Sequence, residues 1–180
     1  MLLVDEISSP IGRIAIAARA GRLCALEFGP TRLARQLAAR YPGVPRTRVR
    51  NPFGLSAKIR AYLAGNLAAV DRIPVETGGT RFQQRVWRAL RRIPAGGTRT
   101  YGALARSLGL GAAARAVGAA NGRNPISLVV PCHRLVGGDA GLTGYGGGLW
   151  RKRWLLRHEG ARPGATAARR AGGRPRGRTR

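Results

Sequence analysis

An α+β fold is expected from this chain: a small N-terminal antiparallel sheet with a covering helix, then a mostly helical C-terminal domain containing a helix-turn-helix. Three features point to it. Short apolar-rich segments alternate with turn residues as far as Phe28; from Thr80 onward apolar residues recur at helical spacing; and two short helical stretches are joined by Gly109-Leu110-Gly111.

The elements follow in order. Leu2–Ile7, Gly12–Ala18 and Arg22–Phe28 read as strands, separated by Ser8-Ser9-Pro10 and Ala20-Gly21. Thr31 is placed to cap a helix running to about Tyr41, where Pro42-Gly43 stops it. A second helix near Leu55–Gly65 puts Ile59, Tyr62 and Leu63 on one face, and Ile73-Pro74-Val75 reads as a short extended piece. Gly78-Gly79 marks a domain boundary, giving a unit over 1–78 and another over 79–160. In the second unit Phe82, Val86, Trp87, Leu90 and Ile93 share a helical stripe that ends at Pro94-Ala95-Gly96-Gly97. Thr100 caps a helix to Leu108, and Ala112–Asn121 forms its partner. Ile126–Val130, apolar and β-branched, is expected to be a strand; a Gly-rich loop follows, then a last helix over Leu149–His158.

Charge narrows the function. The chain carries 33 Lys and Arg against 7 Asp and Glu, for a formal net charge of +26. All the basic residues except Lys58 and Lys152 are Arg, a bias that genome composition can produce, but the shortage of carboxylates is harder to dismiss. So positive a surface attracts a polyanion, and nucleic acid is the commonest. Residues 161–180 are Gly, Pro, Ala and Arg with two Thr and little apolar bulk, and are expected to be a disordered tail adding phosphate affinity. Two cysteines cannot build a disulfide framework or a Cys-rich zinc site, and no apolar run is long enough to span a membrane. The expected setting is reduced and cytoplasmic.

In the stretch Ala112–Ala120 every residue except Arg115 and Val117 is Ala or Gly. Such a helix either packs closely on a neighbour or lays a smooth face in a DNA minor groove, with Arg115 as the one projecting side chain. Cys24, within Leu23-Cys24-Ala25-Leu26, reads as an inert core residue. Cys132 differs: it ends an apolar run, and His133 and Arg134 follow it directly, groups that move a thiol toward thiolate. A histidine acting as base needs an orienting partner. Beyond Thr80 the only carboxylates are Asp139, in a Gly-rich loop, and Glu159. Glu159 sits at a helix C-terminus, where an anion is disfavoured by the dipole. A neighbouring imidazole such as His133 would compensate it; otherwise it is an exposed helix-end residue.

Thr100-Tyr101-Gly102-Ala103-Leu104-Ala105, Arg115-Ala116-Val117-Gly118, Asn124-Pro125, Pro131-Cys132-His133-Arg134, Gly144-Tyr145 and Leu155-Leu156-Arg157-His158-Glu159 occur in that order. In these motifs, and in Ser9-Pro10-Ile11-Gly12 and Phe82–Trp87, the chain resembles the O6-alkylguanine-DNA alkyltransferases, also called methylated-DNA–protein-cysteine methyltransferases, over essentially 1–160.

The resemblance implies single-turnover transfer of an alkyl group from O6-alkylguanine in double-stranded DNA to Cys132. It implies that His133 takes the thiol proton through a water, that Glu159 orients and charges the imidazole, and that Asn124 holds the turn carrying Cys132. Tyr101 would donate a proton to guanine N3, and Arg115 would fill the gap left by the flipped nucleotide. The DNA-facing set would be Tyr101, Arg115, Ala116, Gly118, Ala119 and Asn121. Tyr145 and the Gly146 amide would line the base pocket, and the carbonyls of Cys132 and Leu135 would read the guanine amino group. Gly146 lacks a hydroxyl present in some relatives, which widens the pocket. No cofactor is expected, and no zinc, because Cys24 stands alone in a half without histidine. A monomer is expected.

Three other functions compete with it. A lesion-sensing relative without chemistry would lack the nucleophile that Cys132 supplies. A helix-turn-helix transcription factor leaves the Cys-His pair unexplained. A Cys-His hydrolase would need an amide-binding cleft and would turn over repeatedly.

Overall fold

The computed structural model describes residues 1–138 and 141–161; Asp139 and the expected tail from residue 162 on lie outside the described residues. The α+β class holds. Strands β1 (Leu2–Ile7), β2 (Ile14–Arg19) and β3 (Arg22–Glu27) form an antiparallel meander as expected, and β2 alternates two buried faces. Ile14, Ile16 and Ala18 join the main core, while Ala15 and Ala17 pack under helix α1 (Pro30–Arg40) with Leu33 and Leu37.

The sheet is mixed, not purely antiparallel: β4 (Arg46–Arg48) pairs parallel with β1, giving the order β3-β2-β1-β4. Helix α1 carries the chain back across the sheet, as a parallel pairing requires. Arg46-Thr47-Arg48 has no apolar alternation and all three residues are exposed, so hydrophobic periodicity carries no strand signal there. Helix α1 also begins earlier than a Thr31 cap would have it. Gly29 is the cap and Pro30 the first helical residue, where its fixed φ suits the helix start and its missing N–H costs nothing.

Helix α2 (Leu55–Leu63) buries Ile59 and Tyr62 as expected. Helix α3 (Arg81–Leu90) opens with a reciprocal capping box between Thr80 and Gln83, an arrangement worth about 1 kcal/mol. The two-residue strand β5 (Arg99–Thr100) leads into α4 (Tyr101–Ser107), capped by the Thr100 hydroxyl, and α5 (Ala114–Gly122) completes the helix pair. Gly109 and Gly111 make the turn between them at φ +67 and +56. Helix α6 (Leu149–His158) closes the described chain, and β6 (Leu135–Val136) pairs parallel with β5.

Two segments cover the free edge of β3. Leu23 bonds to Pro74 and Glu76, which gives Ile73-Pro74-Val75 its extended shape through a single bridge to Val75. Leu26 donates to the Pro125 carbonyl at 3.1 Å and accepts from the Ser127 amide at 3.2 Å. Strand β3 thereby seats the segment that leads into Cys132, and the Gln36 amide adds a bond to the Pro125 carbonyl at 2.9 Å.

The expected strand over Ile126–Val130 is instead a buried turn, with only Ile126 bridging to Leu26. Asn124 folds it. Its Oδ1 accepts from the Ile126 amide at 3.0 Å, its Nδ2 donates to the Val130 carbonyl at 2.7 Å, and Leu128 takes φ +73. An apolar run buried on all sides looks the same in sequence whether it is extended or coiled back.

Candidate active site

Residues Cys132–Arg134 form one turn of 3-10 helix between the Asn124-pinned turn and β6. Cys132, His133 and Arg134 are all buried, Cys132 at 5% exposure. The sequence makes that turn short: Pro131 precedes it, and the Leu135 amide closes it by donating to the Cys132 carbonyl.

Glu159, at the end of α6, holds this turn in place. Its Oε1 accepts from His133 Nε2 at 2.9 Å, from Arg134 Nη2 at 2.7 Å and from the Tyr62 hydroxyl at 2.7 Å. Its Oε2 accepts from Arg134 Nε at 2.9 Å and from the Gly96 amide at 3.4 Å. A Cβ at position 96 would stand 2.9 Å from the Glu159 carbonyl oxygen, so the Pro94–Gly97 turn can approach only as glycine. Burial alone would raise this carboxyl's pKa; His133 and the two-pronged Arg134 contact outweigh it and hold the group well below the usual carboxylate range. The expected compensation of a helix-end anion by His133 is present, and Arg134 joins it with two hydrogen bonds.

An ionised Glu159 determines the state of His133. Nε2 must carry a proton to donate to the carboxylate, so a neutral imidazole keeps its lone pair on Nδ1, which is buried and without a hydrogen-bond partner. Burial lowers the His133 pKa; Glu159 opposes this, while Arg134 and Lys152 add to it. With Nε2 committed to Glu159 and burial lowering its pKa, the imidazole favours the neutral form until it takes up a proton. Cys132 departs from expectation, toward its neutral form. Burial pushes the thiol up, and the pull of Asn124, the turn's own backbone, Lys152 and Tyr145 does not overcome it. The resting pair is thiol and neutral imidazole.

Cys132 lies at the edge of a cleft of about 460 Å³ lined by Tyr101, Gly118, Asn121, Asn124, Thr143, Tyr145, Gly146 and Gly147, with Glu27 and Arg32 of the sheet domain. The Tyr145 hydroxyl is buried and lacks a hydrogen-bond partner, as does Asn121 Oδ1. Burial raises the Tyr101 pKa, with Thr143 and Asn121 beside its hydroxyl. Helix α5 turns Val117, Ala120 and Asn121 inward, and Trp87 Nε1 donates to the Ala120 carbonyl at 2.9 Å. Arg115, Ala116 and Ala119 are exposed, so those small residues do not pack on a neighbouring helix. Gly118 lies beside the Tyr101 ring. Leu135 is buried in β6.

Two members of this site, Tyr62 and Lys152, were not singled out by sequence, and a third, Arg134, was read only as a charge beside Cys132. Tyr62 comes from 97 residues away, and nothing local marks it. Arg134 is one of many arginines. Lys152 is fully buried, with Nζ donating to the Thr143 carbonyl at 2.8 Å and its pKa lowered by burial to about 8. Its signal was available: Lys152, Leu155, Leu156 and Glu159 share one face of α6. Among the described residues no cluster of three or more His, Cys, Asp or Glu is arranged to hold a metal ion, and no helix is long and apolar enough to cross a membrane.

Glu159→Gln should lower unfolding free energy by about 3–5 kcal/mol, because Arg134 would be left buried without its counter-charge. The Glu159 pKa is depressed in the folded state, so its stabilisation is present above the ordinary carboxylate range and is lost as pH falls below it. Urea unfolding of both proteins across that acid window checks this. A variant as stable as the parent, or with the same acid dependence, would contradict the assignment.

A family model described as 6-O-methylguanine DNA methyltransferase, DNA binding domain, matches residues 81–161, and one for its ribonuclease-like domain matches residues 4–77. The methylated-DNA–protein-cysteine methyltransferase of Shigella flexneri is 51% identical over 164 residues, covering 88% of this chain and 96% of that protein. The Mycobacterium tuberculosis protein of the same name is 44% identical over 165 residues, covering 90% and 94%. Among solved structures, M. tuberculosis OGT in complex with DNA superposes with a TM-score of 0.74 at 41% identity, over 88% of this chain and 92% of that one. The O6-methylguanine-DNA methyltransferase of Pyrococcus kodakaraensis gives 0.70 at 30% identity, over 89% and 100%. This chain belongs to the 6-O-methylguanine DNA methyltransferase family.

Proposed function

We propose that this protein repairs O6-alkylguanine in double-stranded DNA by moving the alkyl carbon onto the Cys132 sulfur, once per molecule. One observation carries the reading: a buried thiol at the edge of a base-sized cleft, next in sequence to a histidine whose Nδ1 lone pair is buried and unpartnered.

In this reading the Cys132 proton passes, through a water, to His133 Nδ1, and the imidazolium that forms is stabilised by the Glu159 carboxylate. Lys152 places a positive charge near the developing thiolate. The sulfur attacks the alkyl carbon; the C–S bond forms as the C–O6 bond breaks, and the electron pair leaves with the guanine. Tyr101 donates a proton to guanine N3, so the base departs neutral. The thioether has no ready route back to thiol, which makes the reaction single-turnover.

The target carbon lies inside the duplex, so the nucleotide has to be flipped out at a cost of about a few kcal/mol. The exposed face of Arg115, Ala116 and Ala119, with Gly118 and Asn121 bordering the cleft, suits the minor groove, and Arg115 fills the vacated stack. Phosphate contacts from a +26 chain offset the flipping cost. A relative of the same fold solved with DNA supports that partner. The Cys132 and Leu135 carbonyls read the guanine amino group; the former already accepts from Leu135, and its second lone pair remains. Tyr145 and the Gly146 amide complete the pocket. The protein acts as a monomer in two units, 1–78 and 79–160, without a cofactor.

With lesion duplex in excess, restored guanine should rise in one burst equal to the protein present and then stop, and Cys132→Ala should give none while still binding DNA. Continued turnover would sink the reading. Arg115→Ala should slow repair roughly tenfold or more in duplex and much less in single strands, where no stack needs filling. Equal slowing on both substrates would remove its assigned role.

A further inference from the structure

The cleft wall contributed by the sheet domain is an acid–base pair that the transfer chemistry does not use. Glu27, the last residue of β3, accepts from Arg32 Nε at 3.2 Å; its side chain is 14% exposed and that of Arg32 is 52% exposed. A pair this open adds little to stability. Its position is nevertheless well determined, because the preceding residue, Leu26, is bonded on both sides to the Pro125–Ser127 segment that leads to Cys132. Arg32 Nη2 stands 3.8 Å from where a Cβ at Gly146 would be, so the absence of a side chain there opens the pocket toward the guanidinium. The Tyr145 hydroxyl, buried and close to the Cys132 thiol, lines the same cleft. Carboxylate, guanidinium and hydroxyl thus line the cleft that also holds Cys132.

Resting on the proposed function, we infer that Glu27 and Arg32 select O6-alkyl groups ending in a hydroxyl, such as 2-hydroxyethyl, over unsubstituted groups of equal length. A hydroxyl can donate to the Glu27 carboxylate and accept from the Arg32 guanidinium at once. A terminal methyl does neither, and strips water from the pair. The transfer is unchanged in kind. The Cys132 sulfur bonds to the CH₂ that leaves O6, the thiol proton goes to His133, guanine leaves protonated, and the product is an S-(2-hydroxyethyl) thioether.

The test is a single-turnover competition between duplexes carrying O6-(2-hydroxyethyl)guanine and O6-n-propylguanine, with O6-methylguanine repair measured alongside. The parent should favour the hydroxyethyl lesion by roughly threefold to tenfold, the effect of one or two net hydrogen bonds. Glu27→Ala and Arg32→Ala should each bring that ratio toward one, and Glu27→Gln, which keeps an acceptor, should hold it at an intermediate value. A parent ratio of one or below, or a ratio that neither alanine variant changes, overturns the inference while methyl repair proceeds. Absence of methyl transfer in the parent would instead overturn the proposed function.

Discussion

A carboxylate with no exposed surface at the end of a helix is unfavourable on two counts, because it gives up its hydration and meets the negative end of the helix dipole. Glu159 occupies that position, and the arrangement of the reactive turn follows from satisfying it. Its two oxygens collect five donors from four residues on three separate elements: the α2 tyrosine, the Pro94–Gly97 turn, and His133 and Arg134 of the 3-10 turn that carries Cys132. Removing any one leaves a buried charge short of a partner. The elements around it are therefore bound together by electrostatics as much as by the apolar core on which they rest.

The same contact divides labour among charges. Arg134 neutralises Glu159, so His133 can stay uncharged while still being oriented. In the proposed reaction the base is thus available before substrate arrives, and burial favours the protonated thiol next to it. Lys152 stands by with a lowered pKa, a positive charge whose value grows when the sulfur becomes an anion. A neutral resting pair protects a nucleophile that can be spent only once, because a buried thiol is far less open to oxidation than a thiolate. Tyr62 adds a further consequence. It belongs to the sheet domain, so the state of the reactive turn is coupled to the seating of the N-terminal half, as it is through Leu26 and Gln36.

Much of this was readable in the residues. The strands of the meander, the Thr100 cap and the helix pair around Gly109 and Gly111 all follow from local rules. The misplaced anion at Glu159 also pointed toward His133, since a helix-end carboxylate needs an explanation. What escaped was non-local or masked by composition. β4 is three exposed polar residues that pair only because α1 delivers them to an edge. The Ile126–Val130 segment is coiled back by Asn124, and an apolar run cannot declare that. Arg134 was legible as a charge beside Cys132 but not as the partner of Glu159, and the charge state of Cys132 depends on burial that no sequence neighbour reveals.

The central claim is that an ionised Glu159 fixes His133 as a neutral base with its proton on Nε2. With only two histidines in the chain, imidazole nitrogen shifts measured by NMR at neutral pH test it directly. The expected result for His133 is one protonated and one bare nitrogen, the proton on Nε2, persisting below the pH at which an ordinary imidazole charges. A cationic ring at neutral pH, or a proton on Nδ1, would contradict it.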